Sequence, residues 1–556
     1  MKNRTSKFGS DLLLDVLASE GINHIFGNPG TTEMPILNSL RDHPEIQYIL
    51  GLQEAAVVAM ADGYAKASGR PAFVNLHTAG GLGHAMGALL HSHIARTPML
   101  VTAGQQDTRH ILSDPLLYGN ALKMSEPTVK WACELSHPHQ IPPLVRRALH
   151  ATTTPPAGPV FLSLPIDVLT AETAEDAGFS SSINRLSTAG GLQELAFALS
   201  GFPPGGLVVI SGDEVDASNA KSELVCLIEM LGARVYGPSW PGTMSFPSEH
   251  PLWCGNLPTT AAEMHSALSG AKAVLIVGEN PFIPYLYSEG RAVPDGLPLF
   301  QLTQDASEAG RNYTTELACI GNVKTSLQAL LPLIIDRTAH HQEAISSIRA
   351  IAQADRERRL AGRDARLLEQ KHMTPILPFV AAGEALRALG DQVIVVDEAP
   401  ATMHHTRAFL ERTSVRRYFF MRSAILGWGL PASVGVSLGA GRAPVVALLG
   451  DGSALYTPQG FWSAARLKVP VTFVVMNNAE YNILKRYSVA QGYERSGGSS
   501  IAGMELNDPA IDFQALAAAF GLPSRRIDYA DEIEPTISAA VQSGKPNLVE
   551  ITIGNG

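Results

Sequence analysis

The chain has 556 residues, 45% of them hydrophobic and 17% charged, and a formal net charge of −10. This length bounds the chain at about three or four domains, and the composition is that of a folded globular protein, not a disordered one. An acidic chain with no Lys/Arg-rich run makes a poor binder of nucleic acid or anionic membranes, and no apolar run approaches a membrane span, so neither partner is expected.

In chain order, the polar, basic start Met1–Ser10 leads into an apolar stretch broken by Asp11 and Asp15, so no signal peptide is expected. Short apolar runs then alternate with helical patterns. The runs at 72–77, 98–104, 207–211, 273–278, 392–397, 445–450 and 471–476 are continuous Val, Ile and Leu segments. Continuous rather than alternating apolar character marks strands buried on both faces, as in parallel sheets covered by helices. The expected fold class is therefore α/β, with three doubly wound parallel-sheet domains. Phe179–Gly191 is rich in Ser, Gly and Thr and reads as a linker. Residues 353–371 are densely charged and read as a solvated helix or connector. Three parts follow, at 1–178, 190–335 and 372–556. The four cysteines, Cys133, Cys226, Cys254 and Cys319, contain no Cys-x-x-Cys pair, so reduced thiols in a cytoplasmic protein are expected.

The strongest chemical signal lies in the third part. One apolar strand ends in Gly450-Asp451-Gly452-Ser453 and another in Met476-Asn477-Asn478-Ala479-Glu480-Tyr481, with 24 residues between the Gly-Asp-Gly and the Asn-Asn. Loops at the carboxyl ends of strands are where α/β sheets bind ligands. A carboxylate and an amide oxygen are hard ligands suited to Mg²⁺, and glycines beside the aspartate let backbone N–H groups approach a phosphate. Either string alone is ordinary turn chemistry. Together, each after a strand, they point to a metal–diphosphate site.

This spacing resembles the cofactor signature of thiamine diphosphate enzymes. Phe26-Gly-Asn-Pro-Gly-Thr-Thr-Glu33, Gly51-Leu-Gln-Glu54, Asn75-Leu-His77-Thr and Thr102-Ala-Gly-Gln-Gln106 resemble the 2-oxo acid decarboxylase/acetohydroxyacid synthase superfamily, and benzoylformate decarboxylase most. The resemblance implies an N-terminal pyrimidine-binding domain, a middle domain and a C-terminal diphosphate- and Mg-binding domain. It also implies active sites shared between the chains of a homodimer or homotetramer. By resemblance Glu54 exchanges a proton with the cofactor's pyrimidine nitrogen, and His77 handles protons during decarboxylation. Thr31 stands where the decarboxylases carry a serine that touches the substrate carboxylate. Asp451, Asn478 and the backbone carbonyl of Glu480 would hold Mg²⁺. Gly450, Gly452, Ser453 and Tyr481 would surround the diphosphate. Ala424 would offer its carbonyl to the pyrimidine, and Leu426 would wedge beneath the cofactor. Where the family has hydroxyls on the diphosphate this chain has Pro400 and Ala401, which leaves Thr402 or backbone N–H groups to compensate.

The second catalytic histidine of benzoylformate decarboxylase is missing from Glu279–Tyr287, and Tyr285 is the nearest positional match. His91-x-His93 and His404-His405 lack further ligands at metal-binding spacing. The expected reaction is non-oxidative decarboxylation of a 2-oxo acid to an aldehyde, with thiamine diphosphate and Mg²⁺ and with carboligation as an accompanying outcome. The alternatives are an acetohydroxyacid synthase-type carboligase, disfavoured by the absence of a flavin motif in the middle part, and a non-catalytic protein of the same fold. Retention of Glu54, Asp451 and Asn478 together argues against the latter.

Overall fold

The computed structural model describes residues 7–413, 417–493 and 501–555. The apolar runs are strands buried along their length, as at Ala72–Leu76, Leu207–Ser211 and Ala273–Val277. They assemble into three six-stranded sheets. In the first, the spatial order is Gln47–Leu50, His24–Gly27, Ala72–Leu76, Met99–Gln105, Pro159–Pro165 and Ala132–Glu134, all parallel. The third repeats this arrangement from its Ile394–Glu398 strand onward, through Val445–Gly450, Val471–Asn477, Asn547–Thr552 and Ser524–Ile527. The two end parts thus share a strand plan that their sequences did not reveal.

In the middle sheet the order is Trp253–Asn256, Arg234–Gly237, Leu207–Ser211, Ala273–Val277, Leu299–Thr303 and Leu317–Ile320. Numbered along the chain this is 3-2-1-4-5-6, the order of dinucleotide-binding domains. The charged stretch, up to Gln370, lies in a single helix, Gln342–Gln370, whose buried positions are Ile345, Leu360 and Leu367. Among the described residues no helix is long and apolar enough to cross a membrane.

Two compact units result. One combines the chain up to Ser182 with Val393–Ala401 and everything from Met421; the other holds Ile183–Gln392 and Thr402–Phe420. Inside the first unit, the helix Glu54–Ser68 packs on the helix Gly429–Gly439 with backbone touching backbone. A Cβ on Gly63 would stand 2.1 Å from the Ala432 carbonyl oxygen, and one on Gly435 only 1.8 Å from that of Met60. Small residues permit this approach, and a buried polar network fastens it. Asp62 accepts from Trp428 Nε1 (2.9 Å) and Ser92 Oγ (2.8 Å), and pairs with Lys66 at 3.3 Å. His91 stacks on the Trp428 ring and places Nδ1 2.7 Å from Ser423 Oγ. Burial, the leading cause, holds the His91 imidazole down at about 3, so it is neutral there.

Candidate active site

In the first sheet the strand order reverses between His24–Gly27 and Ala72–Leu76, and ligands bind at such switch points. The loops leaving these two strands carry Asn28 to Glu33 on one side and His77 on the other. Glu33 is fully buried, a costly place for a carboxylate unless its oxygens are engaged. Gly30 N (2.9 Å), Gly104 N (3.0 Å) and Thr32 Oγ1 (2.7 Å) donate to it, and His77 Nδ1 lies 2.8 Å from its Oε2. The pair fixes the ring: with Nδ1–H given to Glu33, Nε2 is the nitrogen left for chemistry. Two glycines make room. A Cβ on Gly30 would fall 2.2 Å from the His77 ring, and one on Gly104 would fall 2.1 Å from Glu33 Oε1. Thr31 opens the short turn Thr31–Glu33 and is exposed, whereas Thr32 is buried.

Glu54 begins the Glu54–Ser68 helix, capped by the Gln53 side chain, which accepts from Ala56 N at 3.0 Å. Its side chain is 10% exposed. Asn28 Nδ2 donates to Oε1 (3.1 Å), and His84 Nδ1 stands 3.2 Å from Oε2. Gly81 lies against the carboxyl, where its Cβ would be 3.3 Å from Oε1. His77 and Glu54, far apart in sequence, are thus set on neighbouring elements of one sheet's carboxyl edge.

The third sheet places Asp451 at the end of Val445–Gly450 and Asn478 just past Val471–Asn477, on adjacent parallel strands. Asp451 accepts from Gly452 N (2.7 Å), Ala479 N (2.7 Å) and Asn478 N (3.2 Å). Burial nevertheless pushes its carboxyl above the ordinary value, against the pull of those N–H groups. The inner end of the Asn478 amide lies 2.8 Å from the Glu480 carbonyl oxygen and 3.2 Å from Asp451 Oδ2. With its NH₂ inward the amide donates to both. With its oxygen inward, three oxygens converge with no proton between them, a donor set that fits a hard divalent cation. Among the described residues no cluster of three His, Cys, Asp or Glu offers a metal site, so this mixed oxygen set is found only by its geometry. Gly452 is required by the Tyr481 ring, which would stand 2.6 Å from a Cβ there. Gly450 caps the turn that begins with Asp451, Ser453 is buried within that turn, and Tyr481 N donates to Met504 O (2.8 Å).

Ala424 adopts a left-handed φ of +58° and is exposed; Leu426 is half-buried two residues on. The segment is braced from below by Glu398, whose carboxyl accepts from Gly427 N and Gly429 N. Thr402 is buried at the start of the Met403–Phe409 helix, and it belongs to the second unit. Tyr285 is also in that unit, half-exposed and stacked on Trp240 at 5.6 Å. Sequence reasoning passed over Glu33, Asn28, His84 and Glu398. The first two lie inside the Phe26–Glu33 string, and the available signal for Glu33 was a carboxylate three residues past Gly30 in the loop that leaves a strand.

Comparison with known proteins identifies the family. The family models "Thiamine pyrophosphate enzyme, N-terminal TPP binding domain", "central domain" and "C-terminal TPP binding domain" match residues 8–124, 206–330 and 401–551. The chain is 32% identical over 546 residues to benzoylformate decarboxylase of Pseudomonas aeruginosa, covering 97% of each. It is 24% identical to the acetolactate synthase large subunit of Lactococcus lactis, covering 98% of this chain and 92% of that one. The solved thiamine diphosphate-dependent 4-hydroxybenzoylformate decarboxylase of Rhodococcus jostii RHA1 superposes with a TM-score of 0.85 at 28% identity over 99% of both chains. The fold and the paired loops define a thiamine diphosphate-dependent enzyme. The chain belongs to the thiamine pyrophosphate enzyme family.

Proposed function

We propose that this protein is a thiamine diphosphate- and Mg²⁺-dependent decarboxylase that converts a 2-oxo acid to an aldehyde. The observation that carries the reading is His77, held by Glu33 through Nδ1 at the switch point so that Nε2 is free to give or take a proton. A decarboxylase needs such a group to protonate its product-forming carbon. Bound thiamine diphosphate supplies the electron sink for loss of CO₂. Asp451, Asn478 and the Glu480 carbonyl would hold Mg²⁺, with Gly450, Gly452, Ser453 and Tyr481 lining the place of the diphosphate. Leu426 would support the cofactor, the Ala424 carbonyl would receive its amino group, and Glu54 would exchange a proton with its ring. The Thr31 hydroxyl receives the substrate carboxylate. The active form is a homodimer or homotetramer with shared sites, in the cytoplasm.

The middle sheet supports decarboxylation over a flavin-linked carboligase. Its switch point is where a dinucleotide's pyrophosphate would rest on a helix N-terminus. Here the Glu279 carboxylate accepts from Asp213 N and Glu214 N, both at 3.2 Å, and fills that position with a negative charge. Carboligation is the alternative, and product analysis separates the two. A panel of 2-oxo acids with thiamine diphosphate and Mg²⁺ is expected to give CO₂ and aldehyde in equal amounts. Acyloin or acetohydroxy acid as the main product would overturn the proposal.

A further inference from the structure

His77 and His84 lie seven residues apart, two helical turns, at the start and along one face of the Thr78–Ile94 helix. Each imidazole meets a carboxylate: His77 meets Glu33, and His84 meets Glu54. The pairs differ in access to water. The Glu54 side chain is 10% exposed and that of His84 is 69% exposed. Asn28 occupies Oε1 of Glu54, and Gly81 packs over the carboxyl, so His84 at Oε2 is its outward neighbour.

We propose that His84 is a positioning residue for Glu54 and the group through which this carboxyl exchanges its proton with solvent. The inference deepens the function proposed above and rests on it. In the free protein His84 Nδ1 stands 3.2 Å from Glu54 Oε2, and in its protonated form the imidazole is the counter-ion of that carboxylate. When the pyrimidine nitrogen of the cofactor takes over that carboxylate, one proton must be delivered to the pair. His84 gives its Nδ1 proton to Glu54 Oε2 and is left neutral, with its remaining proton on Nε2, so the carboxyl gains its proton from His84 and not directly from solvent. Net charge at the histidine–carboxyl pair is unchanged by this transfer.

Elements packed against this helix carry further charged groups. Asp62 and Lys66, on the Glu54–Ser68 helix, pair with each other. Lys123 and Glu126 stand on the Ala121–Ser125 helix and the turn that follows it. On the helix itself, His91 faces Ser423, and His93 lies near Arg96.

The test counts protons and needs no substrate. Titration calorimetry of thiamine diphosphate into the full-length protein with Mg²⁺, in buffers of different ionisation heat, gives the protons taken up per site. Between pH 5.5 and 9, wild type is expected to take up fewer protons than His84→Asn, by up to roughly half a proton per site at intermediate pH. The two curves should converge at either extreme. In a Glu54→Gln background, removing His84 should change nothing. Equal uptake by wild type and His84→Asn at every pH would overturn the inference, as would a deficit that persists without Glu54. Failure of wild type to bind the cofactor at all would overturn the parent proposal and this one with it. Cofactor binding without 2-oxo acid turnover would overturn only the parent proposal's reaction, with the proton count still deciding the role of His84.

Discussion

Replacing Gly435 with alanine tests the seam on which the site is built, because two effects of opposite sign compete. Helix propensity favours alanine over glycine by about 1 kcal/mol in a helix interior. The structure opposes it. The added Cβ would stand 1.8 Å from the Met60 carbonyl oxygen, 2.7 Å from its carbon and 2.9 Å from Tyr64 N. Ordinary contact begins near 3.4 Å, so the helices Glu54–Ser68 and Gly429–Gly439 must part locally by about 1.6 Å. The obstructing atoms are backbone, so no side chain can swing aside. Gly63 and Gly439 sit in the same seam and would lose their close contacts too. Overpacking of a core costs about 1–3 kcal/mol, and this case lies at the upper end. The net expectation is a loss of about 2 kcal/mol. Glu54 starts one helix and the Ala424–Trp428 segment leads into the other, so cofactor affinity should fall as well. Denaturant unfolding of Gly435→Ala beside Gly362→Ala provides the assay. Gly362 lies in the Gln342–Gln370 helix with open space around its Cβ position, so its variant should gain stability by about 0.5–1 kcal/mol. A Gly435→Ala protein as stable as wild type, or more so, would refute the packing argument.

Glu33→Gln keeps the shape beside His77 but turns an amide toward groups that donate; kcat should fall about 10–100-fold with KM little changed, and unaltered steady-state kinetics would remove Glu33 from the site. Glu398 is pushed up to about 8 from its ordinary 4.5, chiefly by burial and against the Gly429 and Gly427 N–H groups. The folded protein therefore holds the extra proton between those values, and stability falls as pH rises through that window, by at most about 1.4 kcal/mol per pH unit. Thermal midpoints of Glu398→Gln should lack that decline, and parallel pH profiles for the two proteins would contradict it. Mixing inactive Glu54→Gln with inactive Asp451→Ala under subunit exchange should restore part of the activity, because a hybrid dimer carries both lesions in one shared site and leaves the other intact. Fully exchanged hybrids without activity would reject shared sites.

Much of the fold was legible because strands buried on both faces must be continuously apolar, and residues 207–211, 445–450 and 471–476 fall within strands of the structure. The charged run at 353–371 was legible as a solvated helix because few of its positions can enter a core. The Asp451–Asn478 pairing could be read from two strand-end loops on neighbouring strands. The pairs Glu33–His77 and Glu54–His84 could not, since sheet order, not sequence proximity, brings together groups 44 and 30 residues apart. Glu398 was hidden for a similar reason: its role is to brace backbone N–H groups of a segment about thirty residues later, and side-chain type alone does not announce that. The glycine seam carries no periodic signal, because Gly63 and Gly435 sit in helices that are apolar almost throughout.

The most direct measurement strips the protein of metal and cofactor, then follows CO₂ release from a 2-oxo acid with thiamine diphosphate, Mg²⁺, both or neither, in wild type and in Asp451→Ala. Release is predicted only in wild type with both present, with one aldehyde formed per CO₂. Release without either addition, or an Asp451→Ala protein that matches wild type, would contradict the assignment of the site and of the reaction together.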